Sequence, residues 1–422
     1  MIANLAITKL ISRFSHVNWA MADQTMVSGV NFLTGILLAR FLGIEEFGRF
    51  TLIWMAAQIV ASIQHAIINS PMMSIGPKQG EEEFPAYFGA IIVQQLAFSA
   101  IVSVMLFTGV YFMSRIFPEW EIDGLALPLT MATLAFLLQD FLRRYFFTRE
   151  KYARAFTNDA IRYLGQLAIL IGLFMSSNHP MDAGTVLWII TATAFLATVL
   201  GVLSVEKIDL NALVIKKVFR RHWNFSKWLV PSAMMQGATG NLFIISAGAL
   251  LGTSAVGALK ATQSLMGVVH ILFLGLENIV PIRAARHFHN HGRKALFDYL
   301  KQVTLYGGGA TAVVVLIAAM MPEFWLRLVF GQEYQGFGFL LQWHAVIYLL
   351  IFLSLPLRSG LRAIEEPRAI FWAYVWMVLF SGFAAYPIVH FFGVAGVMSG
   401  LTTINLILVS TLWIFLKRKT VG

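Results

Sequence analysis

The feature that most constrains this chain is a succession of apolar stretches, each about twenty residues long, separated by short polar punctuation. They fall at 19–41, 50–74, 86–112, 125–147, 155–176 and 183–204, then at 224–250, 256–281, 301–321, 337–357, 368–389 and 392–416. A helix rises 1.5 Å per residue, so one such stretch crosses the roughly 30 Å of hydrocarbon in a bilayer. Together they fill most of the 422 residues and leave no room for a large soluble domain. Hydrophobic residues make up 58% of the chain and charged ones 12%, and mean hydropathy is +0.73, which is more apolar surface than one soluble core can bury. The expected fold class is an all-α integral membrane protein with about 12 transmembrane helices.

Orientation follows from the basic residues, which concentrate in cytoplasmic loops. With both termini inside, about 26 of the 31 Lys and Arg fall on the cytoplasmic side. The clusters are Arg143, Arg144, Arg149, Lys151 and Arg154; Lys207, Lys216, Lys217, Arg220 and Arg221; and Arg283, Arg286, Arg293 and Lys294. This distribution accounts for the net charge of +10 without nucleic acid as a partner. Residues 1–18 lack the apolar run and small-residue cleavage site of a signal peptide. Ile2, Leu5, Leu10, Phe14 and Val17 instead suggest an interfacial helix.

The longest polar connection, 205–223, reads as a cytoplasmic linker between a six-helix lobe at 19–204 and another at 224–422. An offset of 209 superposes Gly43 on Gly252, Gly48 on Gly257, Trp19 on Trp228 and Gly184 on Gly393. Six helices return the chain to its starting side, so the two lobes are parallel repeats. Lobes so related enclose a cavity that can open to either side, the architecture of a transporter.

Cysteine is absent, which excludes disulfides, thiolate metal sites and cysteine nucleophiles. No phosphate loop, HExxH or GxSxG motif occurs, so the chain reads as a non-enzyme that does not hydrolyse ATP. His287, His289 and His291 have helical ligand spacing but no acidic or thiol partner nearby; no metal and no cofactor are expected. Gly307, Gly308 and Gly309 lie within a span and imply close helix packing or a kink.

Charges inside spans need partners or water. Asp140 has Arg143 and Arg144 at i+3 and i+4, and Asp159 has Arg162 at i+3, so local pairs account for both acids. Asp23 has no such base; it is either a helix N-terminal acid or a coupling site for H+ or Na+. Glu277, ahead of Asn278 and Pro281, is the second coupling candidate, with a snorkelling surface acid as its alternative. Arg40 and Lys260 either snorkel or offer positive charge to an anionic head group. Asn31, Gln94, Gln95, Gln236 and Gln263 are polar groups within spans whose commoner role is interhelical hydrogen bonding, with Asn31 and Gln236 also cavity candidates.

The first hairpin, GVNFLTGILLARFLGIEEFGRFTLIWMAAQIV, resembles the signature of the bacterial polysaccharide transporter family, which contains the O-antigen and exopolysaccharide flippases. Ala39, Arg40, Leu42, Gly43, Glu45, Glu46, Phe47 and Gly48 fit the pattern; the second half echoes it at Gly252, Val256 and Gly257 but has no counterpart to Arg40. The resemblance implies a MATE-like fold within the multidrug, oligosaccharidyl-lipid and polysaccharide exporter superfamily, in a bacterial inner membrane. It also implies transfer of a polyprenyl-pyrophosphate-linked oligosaccharide to the outer leaflet, in company with a polysaccharide polymerase and other assembly proteins. Family cavities carry arginines and lysines, which marks Arg40 and Lys260. A cation-coupled multidrug or metabolite exporter on the same fold is the competing expectation.

Overall fold

The computed structural model describes residues 2–176, 181–366 and 368–421, with side chains except at 2–17, 271, 274, 278 and 419–421. The side chains expected to make an interfacial helix, Ile2 to Val17, therefore lie outside the described residues. In chain order the helices are α1 (Ile2–Gln64), α2 (Ser70–Ile75), α3 (Phe84–Ile116), α4 (Ala126–Thr148), α5 (Tyr152–Ser176), α6 (Ala183–Val202), α7 (Ala212–Ser226), α8 (Leu229–Leu251), α9 (Thr253–Leu265), α10 (Gly267–Met320), α11 (Pro322–Phe330), α12 (Gly338–Ala363) and α13 (Arg368–Val421).

Among the described residues, eight helices are long and apolar enough to cross a membrane. Three of these, α1, α10 and α13, break at Gly43, Gly292 and Gly393, where φ is positive. The eleven segments that result, with the 23-residue α4, match the twelve expected spans. Helix α4 is less apolar because it carries Gln139, Asp140, Arg143 and Arg144. Large side chains such as Val104, Met105 and Phe112 on α3 are more than half exposed. Hydrocarbon is the solvent that such a surface requires. The protein is a multi-pass, all-helical membrane protein.

Two compact units make up the chain: Met1–Thr34 with Ile53–Met234, and Gly35–Leu52 with Met235–Gly422. In the first, Phe84, Phe88, Phe141, Tyr145 and Phe146 form an aromatic core in which Phe88 lies 4.2 Å from Tyr145, centroid to centroid. In the second, Phe273, Val315, Tyr348 and Phe352 pack α10 on α12. A Cβ on Gly307 would sit 2.9 Å from the Phe352 ring, so glycine there sets the close approach expected of this run.

Division by sequence places residues 35–52 in the first lobe, yet they pack with the second unit. The reason lies in the glycines of the repeat. Gly43 (φ 76°, ψ 174°) and Gly252 (φ 86°, ψ 175°) share one left-handed, extended conformation that ends a helix and starts another. Five residues on, a Cβ at Gly48 would fall 1.8 Å from the Thr253 carbonyl, and one at Gly257 would fall 1.9 Å from the Ile44 carbonyl. Ile44 and Thr253 also differ by 209, so the two turns cross reciprocally with backbone on backbone. Gly184 and Gly393 behave differently: Gly184 is helical, whereas Gly393 breaks α13.

Candidate functional site: a buried ion network and a neutral polar cavity

In the first unit, α1, α4 and α5 bring together six polar side chains that are buried or nearly so: Asp23, Gln139, Arg143, Asn158, Asp159 and Arg162. Arg143 is the hub. Its Nη2 donates to Asp23 Oδ2 at 2.6 Å, and its Nε pairs with Asp159 Oδ2 at 2.5 Å. Gln139 Nε2 donates to Asp159 Oδ1 at 2.7 Å and to Asn158 Oδ1 at 2.8 Å, while its Oε1 accepts from Arg162. The Arg162 guanidinium lies 4.4 Å from the centroids of both Phe136 and Tyr163.

This geometry corrects the local pairing expected from sequence. Arg143 turns away from Asp140 to serve two carboxylates on other helices, and Asp159 takes Arg143 and Gln139 in place of Arg162. Asp140 does pair with Arg144 at i+4 (3.4 Å) and accepts from Asn69 at 2.8 Å. Asp23, which lacks a base on its own helix, finds it across 120 residues. Two carboxylates and two guanidiniums give a formally neutral cluster. Charge compensation on this scale is what permits ionic groups inside a membrane protein.

Nearby, Gln64 donates to Gln95 Oε1 and to the Leu137 carbonyl, both at 2.8 Å. The chain then makes a π-helical turn over His65–Asn69, a local widening that presents Asn69 to α4. Gln94 accepts from His222 of α7 at 2.8 Å if Nδ1 carries the proton, and the Tyr87 hydroxyl lies 3.0 Å from its Nε2. The interhelical role expected of Gln94 and Gln95 is the one they have.

The second unit holds a different site, a cavity of about 310 Å3. Gln236, Thr239, Asn241, Gln263, His344, Tyr348 and Asn405 supply its polar lining, and Ile347, Ile351, Met377, Leu401 and Ile404 much of the rest. Among the described residues, no carboxylate lines it. His344 Nδ1 lies 2.9 Å from the Leu340 carbonyl, which makes that nitrogen the donor and leaves Nε2 an acceptor. At the margin, Lys260 Nζ donates to Gln263 Oε1 at 2.9 Å. Lys260 is an exposed residue of the 13-residue α9, and among the described residues it has no ion pair, only this neutral partner.

The remaining candidates are placed as follows. Gln236 lines the cavity, whereas Asn31 is exposed on α1 and is not among its lining residues. Arg40 is exposed, and its Nη1 donates to the carbonyls of Leu328 (3.1 Å) and Val329 (3.3 Å) at the C-terminal end of α11. A cation there satisfies carbonyls that a helix end leaves unpaired. The Tyr334 hydroxyl donates to the Ala39 carbonyl at 2.8 Å and Glu333 accepts from Ile44 N at 3.2 Å. Arg49 pairs with Glu45 and Glu46. The signature residues thus hold a turn. Glu277 is half exposed and pairs with Arg358 at 3.2 Å, and the Asn278 side chain lies outside the described residues. His287 stacks on Tyr299 at 4.8 Å.

Sequence reasoning missed Arg143 as the hub, and missed Asn241, His344 and Asn405 as lining. The one sequence signal for the hub was Asp23 itself, an acid in a span with no local base.

No family model matches the sequence, and no curated protein matches it either. Solved structures do. An inward-facing multidrug resistance MATE family transporter of the MOP superfamily superposes with a TM-score of 0.70 at 13% identity, over 95% of this chain and 98% of that one. The lipid II flippase MurJ, in an inward closed conformation, gives 0.67 at 15% identity over 94% and 87%. A MATE structure in the straight conformation gives 0.60 at 12% identity over 96% and 95%. At these identities the likeness establishes architecture: this chain has the fold shared by the MATE transporters and MurJ.

Proposed function

We propose that the protein is a secondary flippase of the MOP superfamily that transfers a lipid-linked oligosaccharide from the cytoplasmic to the outer leaflet without hydrolysing ATP. The observation that carries this reading is Lys260, an exposed cation of α9 with no ion pair among the described residues, whose neutral partner Gln263 lines a cavity rich in amides. A cation so placed can take an anionic ligand, and amides both donate to and accept from hydroxyls. A phosphate-bearing glycan presents both chemistries, while its polyprenyl tail stays in lipid. MurJ, a lipid II flippase, lends the fold-level support. Gln236 is assigned to the glycan and Lys260 to the anionic group. Arg40 is a second anion candidate, already committed in part to α11. Alternating access is the transport mode this reading adopts, in keeping with MATE transporters that occur in inward- and outward-facing forms. The membrane would be the bacterial inner membrane, with both termini cytoplasmic and the polymerase and assembly proteins acting downstream.

Deleting the gene tests this reading. Loss of a surface glycan with its lipid-linked repeat unit accumulating inside would support it and name the cargo. An unchanged glycan and lipid profile, in cells that make that glycan, would refute it.

A second reading, a cation-coupled exporter, is favoured by one observation, the convergence of Asp23 and Asp159 on Arg143. Two carboxylates on one guanidinium make a site that H+ or Na+ can enter by displacing it. Export of a cationic dye that Asp23→Asn abolishes would establish that alternative. In the flippase, the same pair is the candidate for coupling, ahead of Glu277, whose charge Arg358 already balances.

A further inference from the structure

The buried network and the amide cavity belong to the function proposed above; α7 does not. This 15-residue helix lies between two spans, α6 and α8, and falls into four rows of side chains spaced four residues apart. Val218, His222 and Ser226 are buried, with Val214 half-buried ahead of them. Val214, Ile215 and Val218 pack on the aromatic core at the start of α3, and His222 bonds to Tyr87 and Gln94. The connection before α7 is fastened too: Asp209 N donates to the Pro85 carbonyl. The helix is therefore a fixed part of the first unit, seated where α3 begins its span.

Beyond Ile215, its other rows are exposed. Phe219 and Trp223, one turn apart, are 37% and 60% exposed, and Trp228 just beyond the helix is 75% exposed. The next row carries Lys216 and Arg220, and the far flank Lys217 and Arg221; all four are exposed. Residues 212–226 contain no acid, and among the described residues none of the four basic side chains makes an ion pair. Aromatic rings beside unpaired basic residues, at the edge of a span, match the boundary between acyl chains and anionic head groups.

We propose that α7 is a docking surface for anionic phospholipid head groups. Phe219 and Trp223 insert below the phosphates, Lys216 and Arg220 bind them from the adjacent row, and Lys217 and Arg221 add charge from the far side. Because His222 and Val218 fix α7 to α3, lipid bound here is held against a transmembrane helix of the first unit. This surface stands independently of the cargo.

The chain has no cysteine, so single nitroxide labels can be placed cleanly. Trp223→Cys and Asn224→Cys would each be labelled and reconstituted in vesicles of phosphatidylcholine, with or without phosphatidylglycerol. Collisions with oxygen, which partitions into lipid, and with a water-soluble nickel chelate would then be compared. With phosphatidylglycerol present, the oxygen-to-nickel ratio at 223 should exceed that at 224 severalfold. It should drop toward the 224 value in pure phosphatidylcholine, in 1 M salt (a Debye length of about 3 Å), or when K216Q, K217Q, R220Q and R221Q are combined. A water-exposed label at 223 in phosphatidylglycerol vesicles would overturn the proposal. Equal immersion with and without phosphatidylglycerol would overturn its anionic specificity. Unfolding of the combined variant is checked by its melting temperature in detergent, which should match that of the parent.

Discussion

The two units handle charge in opposite ways. The first buries Asp23, Asp159, Arg143 and Arg162 and compensates them internally; the second leaves Lys260 exposed with a neutral amide that lines a cavity without carboxylates among the described residues. A buried ion pair contributes little net stability but is costly to break, because its survivor is left unpaired. A cation with no ion partner is the reverse: its removal sacrifices no pair. The first site should therefore behave as a structural element, and the second as a receptor.

Arg143→Ala should have the largest effect. It strands two carboxylates, and unfolding in detergent should register a loss of about 3–5 kcal/mol. Asp23→Asn keeps a hydrogen-bond acceptor for Arg143 and should cost less, so a coupling role can be measured in folded protein. Lys260→Ala should leave stability within about 1 kcal/mol and lower transport at least about tenfold, the scale of one charge-assisted hydrogen bond. Loss of stability as large as in Arg143→Ala would erase the contrast between the units.

A third expectation concerns pH. Burial, helped by Arg221, pushes the His222 imidazole down to about 4, against 6.5 unperturbed. The unfolded state thus binds the proton more readily, and the seat of α7 is at full strength above pH 6.5 and weakens as pH falls toward 4. The limit of this loss is roughly 3 kcal/mol. His222→Gln, which retains polar contacts, should flatten the dependence of melting temperature on pH across that window. The smallest effect belongs to Glu277→Gln, which breaks a half-exposed pair with Arg358 and should change stability by at most about 1 kcal/mol.

Much of the fold was legible because lipid imposes one pattern: every span must be apolar and helical. The offset of 209 was legible for a related reason. Glycine alone tolerates both the conformation at Gly43 and Gly252 and the backbone crossing at Gly48 and Gly257. Of the pairings inside spans, Asp140 with Arg144 was visible as an i, i+4 pair. Arg143 was misassigned by the same rule, since nothing on α4 shows that Asp23 and Asp159 approach it from other helices. The cavity lining of Gln236, Gln263, His344 and Asn405 comes from four helices and leaves no sequence spacing to detect.

The most direct test of the account is transfer of a polyprenyl-pyrophosphate oligosaccharide across proteoliposomes containing the purified protein and no ATP. The parent protein should transfer the lipid, and Lys260→Ala should lower that transfer at least about tenfold without unfolding the protein. No transfer of such a lipid by the folded parent, or equal transfer by parent and variant, would contradict it.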